Sequence, residues 1–128
     1  MKNSFIDLFA GCGGLSLGLE QAGFNPVYVN ELNNDALNTY LINRSEYKHL
    51  NLKEFNLNDI KELSGSKKKL EELSKNLKSK FNIKKGDLSL VVGGPPCQGY
   101  SGIGHRRSYK VDKEKIPSNY LYKEMYKV

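Results

Sequence analysis

Tryptophan is missing from the 128 residues, and cysteine, methionine and histidine each occur only twice. Cys12 and Cys97 stand far apart, with no CxxC pair and no histidine at metal-ligand spacing, so neither a metal site nor a disulfide framework is indicated. A reducing compartment is therefore expected. Long apolar runs are also missing: nothing approaches the roughly 20 residues that a membrane-spanning helix requires. Asp7 and the glycines after it interrupt the short apolar stretch near the amino end, which excludes a secretory leader there. The expected location is the cytoplasm, with no membrane partner. There are no internal repeats and no long low-complexity tract apart from a lysine-rich stretch. Proline occurs four times, and two of the four are adjacent at Pro95 and Pro96.

The charge is unevenly spread. The chain carries a formal +6. Residues 61–85 hold nine lysines against three glutamates, a net of +6, whereas the rest of the chain has eleven basic and eleven acidic side chains. Within this stretch Leu70, Leu73 and Leu77 form a stripe at helical spacing, which predicts an amphipathic helix between the third and fourth strands. Its lysines either bind phosphates nonspecifically or form a solvated outer face. A second excess, seven basic against three acidic residues, lies over 102–128.

Two adjacent prolines lead to the most informative segment. Residues 93–101 read Gly-Gly-Pro-Pro-Cys-Gln-Gly-Tyr-Ser and follow the apolar run 88–92. Pro95 and Pro96 fix φ and donate no backbone hydrogen bond, so a thiol at the carboxyl end of a buried strand is aimed in one direction. That suits a nucleophile, whose thiolate needs exposure and nearby positive charge; the alternative is a buried, inert cysteine. At the amino end, an apolar strand over 4–9 containing Asp7 runs into Ala10-Gly11-Cys12-Gly13-Gly14 and a helix beginning near Leu15. Strand, glycine turn and helix form the first unit of a nucleotide-type site, although such turns also cradle dinucleotides and phosphates. Cys12 is expected to pack at the turn. About twenty residues on, a second strand over 26–30 ends at Glu31, where Rossmann-like folds hold ribose hydroxyls. Glu31 can instead cap the next helix, whose apolar face would be Ala36, Leu37, Tyr40 and Leu41.

Taken together, Asp7-Leu8-Phe9-Ala10-Gly11-Cys12-Gly13-Gly14-Leu15 and Gly94-Pro95-Pro96-Cys97-Gln98 make the chain resemble the cytosine-C5 DNA methyltransferases. The resemblance implies an S-adenosylmethionine site lined by Phe9, Ala10, Gly11, Gly13, Gly14, Leu15 and Pro95, with Glu31 on the ribose and Leu32 near the adenine. Asp59 and Ile60 match the family's next motif, the aspartate accepting from the adenine amino group; Asp59 as an ordinary helix cap is the competing reading. It also implies that Cys97 adds to C6 of a cytosine flipped out of double-stranded DNA. Gln98, Ser101, His105, Arg106 and Arg107 would contact the DNA, or His105 and the arginines would form a solvated surface turn.

The family's later motifs and its target-recognition domain are not found in residues 1–128, so the chain is expected to be the N-terminal part of a catalytic domain. A complementing C-terminal polypeptide would supply the rest. The setting that the resemblance implies is bacterial restriction–modification; a noncatalytic cofactor-binding remnant and an RNA-directed relative are the other readings. The fold class expected is α/β, a Rossmann-like methyltransferase fold that is incomplete. Its mainly parallel strands lie near 4–9, 26–30, 51–57 and 88–92, with the ligand at their carboxyl ends.

Overall fold

The computed structural model describes residues 2–96 and 120–128. Four strands, β1 (Ser4–Leu8), β2 (Asn25–Asn30), β3 (Asn56–Leu57) and β4 (Leu90–Gly93), form one sheet in the order β3-β2-β1-β4. Every pairing is parallel, as the incomplete Rossmann-like reading requires. Parallel neighbours cannot be joined by a tight hairpin, so the chain crosses over through helices. Between strands lie α1 (Gly14–Gln21), α2 (Asn34–Ile42), α3 (Ile60–Ser64) and α4 (Lys67–Phe81), and α5 (Tyr122–Lys127) lies near the carboxyl end.

Strand β1 is buried along its whole length. Ile6 and Leu8 pack into one cluster with Tyr28, Ile60, Leu63, Leu73, Leu77 and Ile83, against which Leu121, Met125 and Val128 lie half-buried. A second cluster joins Val29, Leu37, Tyr40 and Leu50. The leucine stripe of the lysine-rich segment is thus the inner face of α4, and its lysines are the outer face. That helix is capped at both ends: Ser66 Oγ accepts from the Lys69 amide at 3.3 Å, and Asn82 closes it in the left-handed conformation at φ 56°.

Three boundaries differ from expectation. The third strand shrinks to Asn56–Leu57, and a 3₁₀ turn over Lys48–Asn51 takes the place of its start. The cause is Asn56, whose side-chain amide donates to the carbonyls of Leu50 (2.6 Å) and Leu52 (3.1 Å) and so closes a turn where a ladder would have begun. Strand β1 stops at Leu8 because Phe9 turns to φ 55°. Strand β4 starts later and includes Gly93. The β1–β2 register also shifts between Phe5 and Ile6, opposite Pro26, which has no N–H to give to the ladder.

From β1 the chain steps outward to β2 and β3, then returns to pair β4 on the other side of β1. The crevice between β1 and β4 at their carboxyl ends is therefore a topological switch point, where open α/β sheets bind ligands. There the two backbones come close: a Cβ on Gly93 would stand 2.5 Å from the Leu8 carbonyl oxygen. Because that neighbour is strand backbone and cannot swing aside, Gly93→Ala should destabilise the fold by about 1–3 kcal/mol. Urea denaturation checks this, and an unchanged midpoint would refute the close approach.

Candidate cofactor and active site

The turn after β1 winds through three left-handed residues, Phe9 (φ 55°), Gly11 (φ 57°) and Gly13 (φ 93°). Phe9 pays a steric penalty that glycine would not, and neighbouring bonds hold it there. Its amide donates to Asn30 Oδ1 at 3.3 Å, and the next amide, of Ala10, donates to the Asn30 carbonyl at 3.0 Å. The Gly13 amide closes the turn on the Ala10 carbonyl at 3.0 Å. Gly13 then begins α1 with no side-chain cap, which leaves the first amides of that helix available to a ligand or to water.

Glu31 bridges two loops. Its Oε2 accepts from the Gly11 amide at 2.7 Å and its Oε1 from the Asn33 amide at 2.9 Å. A carboxylate has about four lone-pair sites, so each oxygen can accept again. Beside it, Asn30 Nδ2 donates to the carbonyls of Leu57 (3.0 Å) and Asn58 (2.7 Å), and Asn58 Nδ2 donates to the Glu31 carbonyl at 3.0 Å. Helix α2 is capped by Asn33, which accepts from the Ala36 amide at 3.0 Å. Asp59 caps α3, accepting from the Lys61 amide at 2.9 Å.

These strand ends enclose a cleft of about 340 Å³, lined among others by Phe9, Glu31, Leu32, Asp59, Ile60 and Pro96. Five residues singled out in the sequence, Phe9, Glu31, Leu32, Asp59 and Ile60, thus meet in one place. Gly11 is joined to it through Glu31, and Ala10 and Gly14 belong to the same turn. Gly13 is buried beneath that turn, and Leu15 is half-exposed on the first turn of α1. Pro95 lies beside Pro96, outside the cleft lining. Cys12 is exposed rather than packed, because the turn directs it away from the sheet. Cys97, Gln98, Ser101, His105, Arg106 and Arg107 lie outside the described residues. Among the described residues no helix is long and apolar enough to cross a membrane.

Residues 3–124 match the family of C-5 cytosine-specific DNA methylases. The chain belongs to that family. It is 32% identical to a putative type II methyltransferase, M.MjaORF1200P, of Methanocaldococcus jannaschii, over 94% of this chain and 40% of that protein. It is 35% identical to the type II methyltransferase M1.HphI of Haemophilus parahaemolyticus, over 100% of this chain and 29% of the relative. It is 33% identical to the DNA (cytosine-5)-methyltransferase PliMCI of Paracentrotus lividus, over 94% of this chain and 7% of the relative. The chain therefore spans at most about two fifths of the length of these three relatives.

In this member of the family the underside of the turn is as organised as its cleft side, and the sequence reading did not find it. Asp7 is fully buried on β1; its Oδ2 accepts from Ser16 Oγ at 2.5 Å, and Ser16 Oγ lies 2.7 Å from the Tyr40 hydroxyl. Among the described residues Asp7 Oδ1 has no partner. A charged residue inside an otherwise apolar strand was the available signal. Asn30 and Asn58 gave none beyond being short polar residues at strand ends, and Arg44, which binds beneath Gly13, gave none at all.

Burial pushes the Asp7 carboxyl up to about 6, although the bond from Ser16 pulls it the other way. The folded chain therefore keeps this proton to higher pH than the unfolded chain, which releases it near 4. Stability from this group is full below pH 4 and is lost as pH rises through 6. Asp7→Asn should remove that loss, so between pH 4 and pH 7 the variant gains about 2 kcal/mol relative to the wild type. Paired denaturation curves at the two pH values measure it, and a constant difference would show that Asp7 titrates normally.

Proposed function

We propose that this chain carries the cofactor site and the nucleophile of a DNA (cytosine-5-)-methyltransferase, and that it is the N-terminal part of that catalytic domain. The observation that carries the reading is that Pro96, whose next residue is Cys97, lines the same cleft as Phe9 and Glu31. The end of β4 therefore stands beside the glycine turn across the switch point.

The cleft fits S-adenosylmethionine on three counts. Its volume falls in the range of small-molecule sites, Glu31 keeps acceptor capacity for ribose hydroxyls, and Leu32, 69% exposed at the rim, offers apolar surface for an adenine ring. Phe9, Ala10, Gly11, Gly13, Gly14 and Leu15 form the turn around it, Asp59 and Ile60 stand at the adenine end, and Pro95 helps fix the wall opposite. Bound there, the cofactor supplies an electrophilic methyl group.

The chain's own chemistry lies in Cys97. Its thiolate adds to C6 of the cytosine and raises electron density at C5, the position that is methylated. Loss of the C5 proton and expulsion of the thiolate then restore the aromatic ring, so one hard step becomes several easier ones. The base must leave the duplex stack to be reached. Gln98, Ser101, His105, Arg106 and Arg107 are the proposed contacts to double-stranded DNA, with the excess positive charge over 102–128 drawing the backbone in. Target recognition and the remainder of the pocket fall to a further, C-terminal polypeptide segment. The setting is a cytoplasmic restriction–modification system, which the type II names of the relatives support.

Duplex DNA bearing 5-fluorocytosine tests the reading, because fluorine blocks the final proton loss. With S-adenosylmethionine and a polypeptide supplying the remaining segments, the chain should form a covalent adduct that Cys97→Ser abolishes. Cofactor binding without any adduct would reduce the chain to a noncatalytic binder. Separately, Glu31→Ala should weaken S-adenosylmethionine binding in calorimetry at least tenfold, the scale of a lost hydrogen bond to a charged group. An unchanged affinity would remove Glu31 from the site.

A further inference from the structure

Arg44 is 4% exposed and stands two residues beyond α2, far in sequence from Gly13 and Glu20, which it binds. Its Nη2 donates to the Gly13 carbonyl at 2.8 Å, and its Nε donates to Glu20 Oε1 on α1 at 2.6 Å. Its guanidinium carbon lies over the Tyr40 ring, 4.0 Å from the centroid. The same Gly13 carbonyl also accepts the first hydrogen bond of α1, from the Leu17 amide at 2.9 Å. A single oxygen therefore joins the glycine turn to its helix, and Arg44 occupies the remaining side of it. The space is used completely: a Cβ on Gly13 would collide with Arg44 Nη1 and stand 2.7 Å from Tyr40 Cδ2. Gly13 is needed both for its left-handed φ and for the room that it leaves to the guanidinium.

We propose that Arg44 is a positioning residue for the cofactor turn: it clamps Gly13 from beneath and so sets the turn and the first amides of α1 before a ligand arrives. The clamp needs arginine rather than any cation. Holding a carbonyl, a carboxylate and an aromatic face at once requires the planar fork of guanidinium donors, which a lysine ammonium lacks. The carboxylate of Glu20 makes burial of the cation tolerable. The ring of Tyr40, whose hydroxyl bonds Ser16 while its face carries Arg44, links this clamp to the buried Asp7 pair. A turn ordered in advance binds its ligand without first losing loop entropy, so the effect of Arg44 should appear as affinity. The proposal rests on reading this turn as the S-adenosylmethionine site.

The test compares Arg44→Lys with Leu77→Ala, a destabilising change in the α4 cluster away from the turn. Hydrogen exchange of the ligand-free chain should show the hydrogen-bonded turn amides of Gly11 and Gly13 exchanging at least tenfold faster in Arg44→Lys, with the α4 amides unchanged; Leu77→Ala should show the reverse. Calorimetry with S-adenosylhomocysteine, below both melting temperatures, should show at least a tenfold loss of affinity in Arg44→Lys and less than a twofold loss in Leu77→Ala. Unchanged exchange at Gly11 and Gly13, or equal affinity losses in the two variants, overturns the role of Arg44. If exchange responds as stated but the wild-type chain binds neither S-adenosylmethionine nor S-adenosylhomocysteine, the cofactor reading of the turn is what fails.

Discussion

Everything at the site depends on the parallel pairing of β4 with β1, in which Leu8 stands opposite Gly93. That register brings the end of one strand, where the glycine turn begins, beside the end of another, where Gly94, Pro95 and Pro96 follow. A slip of one residue would flip the side chains of β4 to the opposite faces and move the proline turn along the crevice. The absence of a Cβ at Gly93 lets the two strands approach closely at their last pair. The same pairing, with β2 on the other flank, buries β1 completely, and this burial is what makes Asp7 costly to ionise.

Strand ends leave backbone groups that need partners, and here short polar side chains supply them across loops rather than within them. Asn30 ties the β1 turn to the segment after β3, Asn58 ties that segment to Glu31, and Glu31 ties both ends of its own loop to Gly11. Three loops from three strands are thereby fixed relative to one another while the cleft between them stays open. Below the turn the linkage is made by buried charges. Arg44 with Glu20 forms an ion pair on that side, so the turn has a carboxylate above it and a paired guanidinium beneath it.

Strands buried on both faces read as continuous apolar runs, which is why β1 and β2 were legible in the sequence; β4 was legible from its apolar run as well, but it is only half-buried rather than the buried strand expected, with Val91 38% exposed. Helix α4 was legible from Leu70, Leu73 and Leu77, and Glu31 from its distance beyond the glycine turn. Strand β3 was not, because its two residues gain their place from backbone pairing to β2, and the asparagine that shapes its approach bonds carbonyls four and six residues earlier. Arg44 was illegible for a related reason. Its partners, Glu20 and Gly13, lie 24 and 31 residues away, and no local pattern encodes a meeting that only the packing of α1 against α2 brings about.

Two carboxylates at the cleft admitted competing readings, as helix-end groups or as ligand holders, and the geometry makes the choice unnecessary. Capping at Asp59 engages Oδ1 with the Lys61 amide, and each oxygen of Glu31 accepts one bond from a backbone amide. A carboxylate that accepts one bond per oxygen has used half of its acceptor sites, and those bonds fix its orientation. A side chain held in this way presents its remaining lone pairs in a defined direction, whereas a free one would lose rotamer entropy on binding. The bonds that start α3 and that join Glu31 to Gly11 and Asn33 are thus the same bonds that ready the proposed ligand contacts. On the proposed cofactor reading, these two residues serve folding and binding through a single arrangement of oxygen atoms.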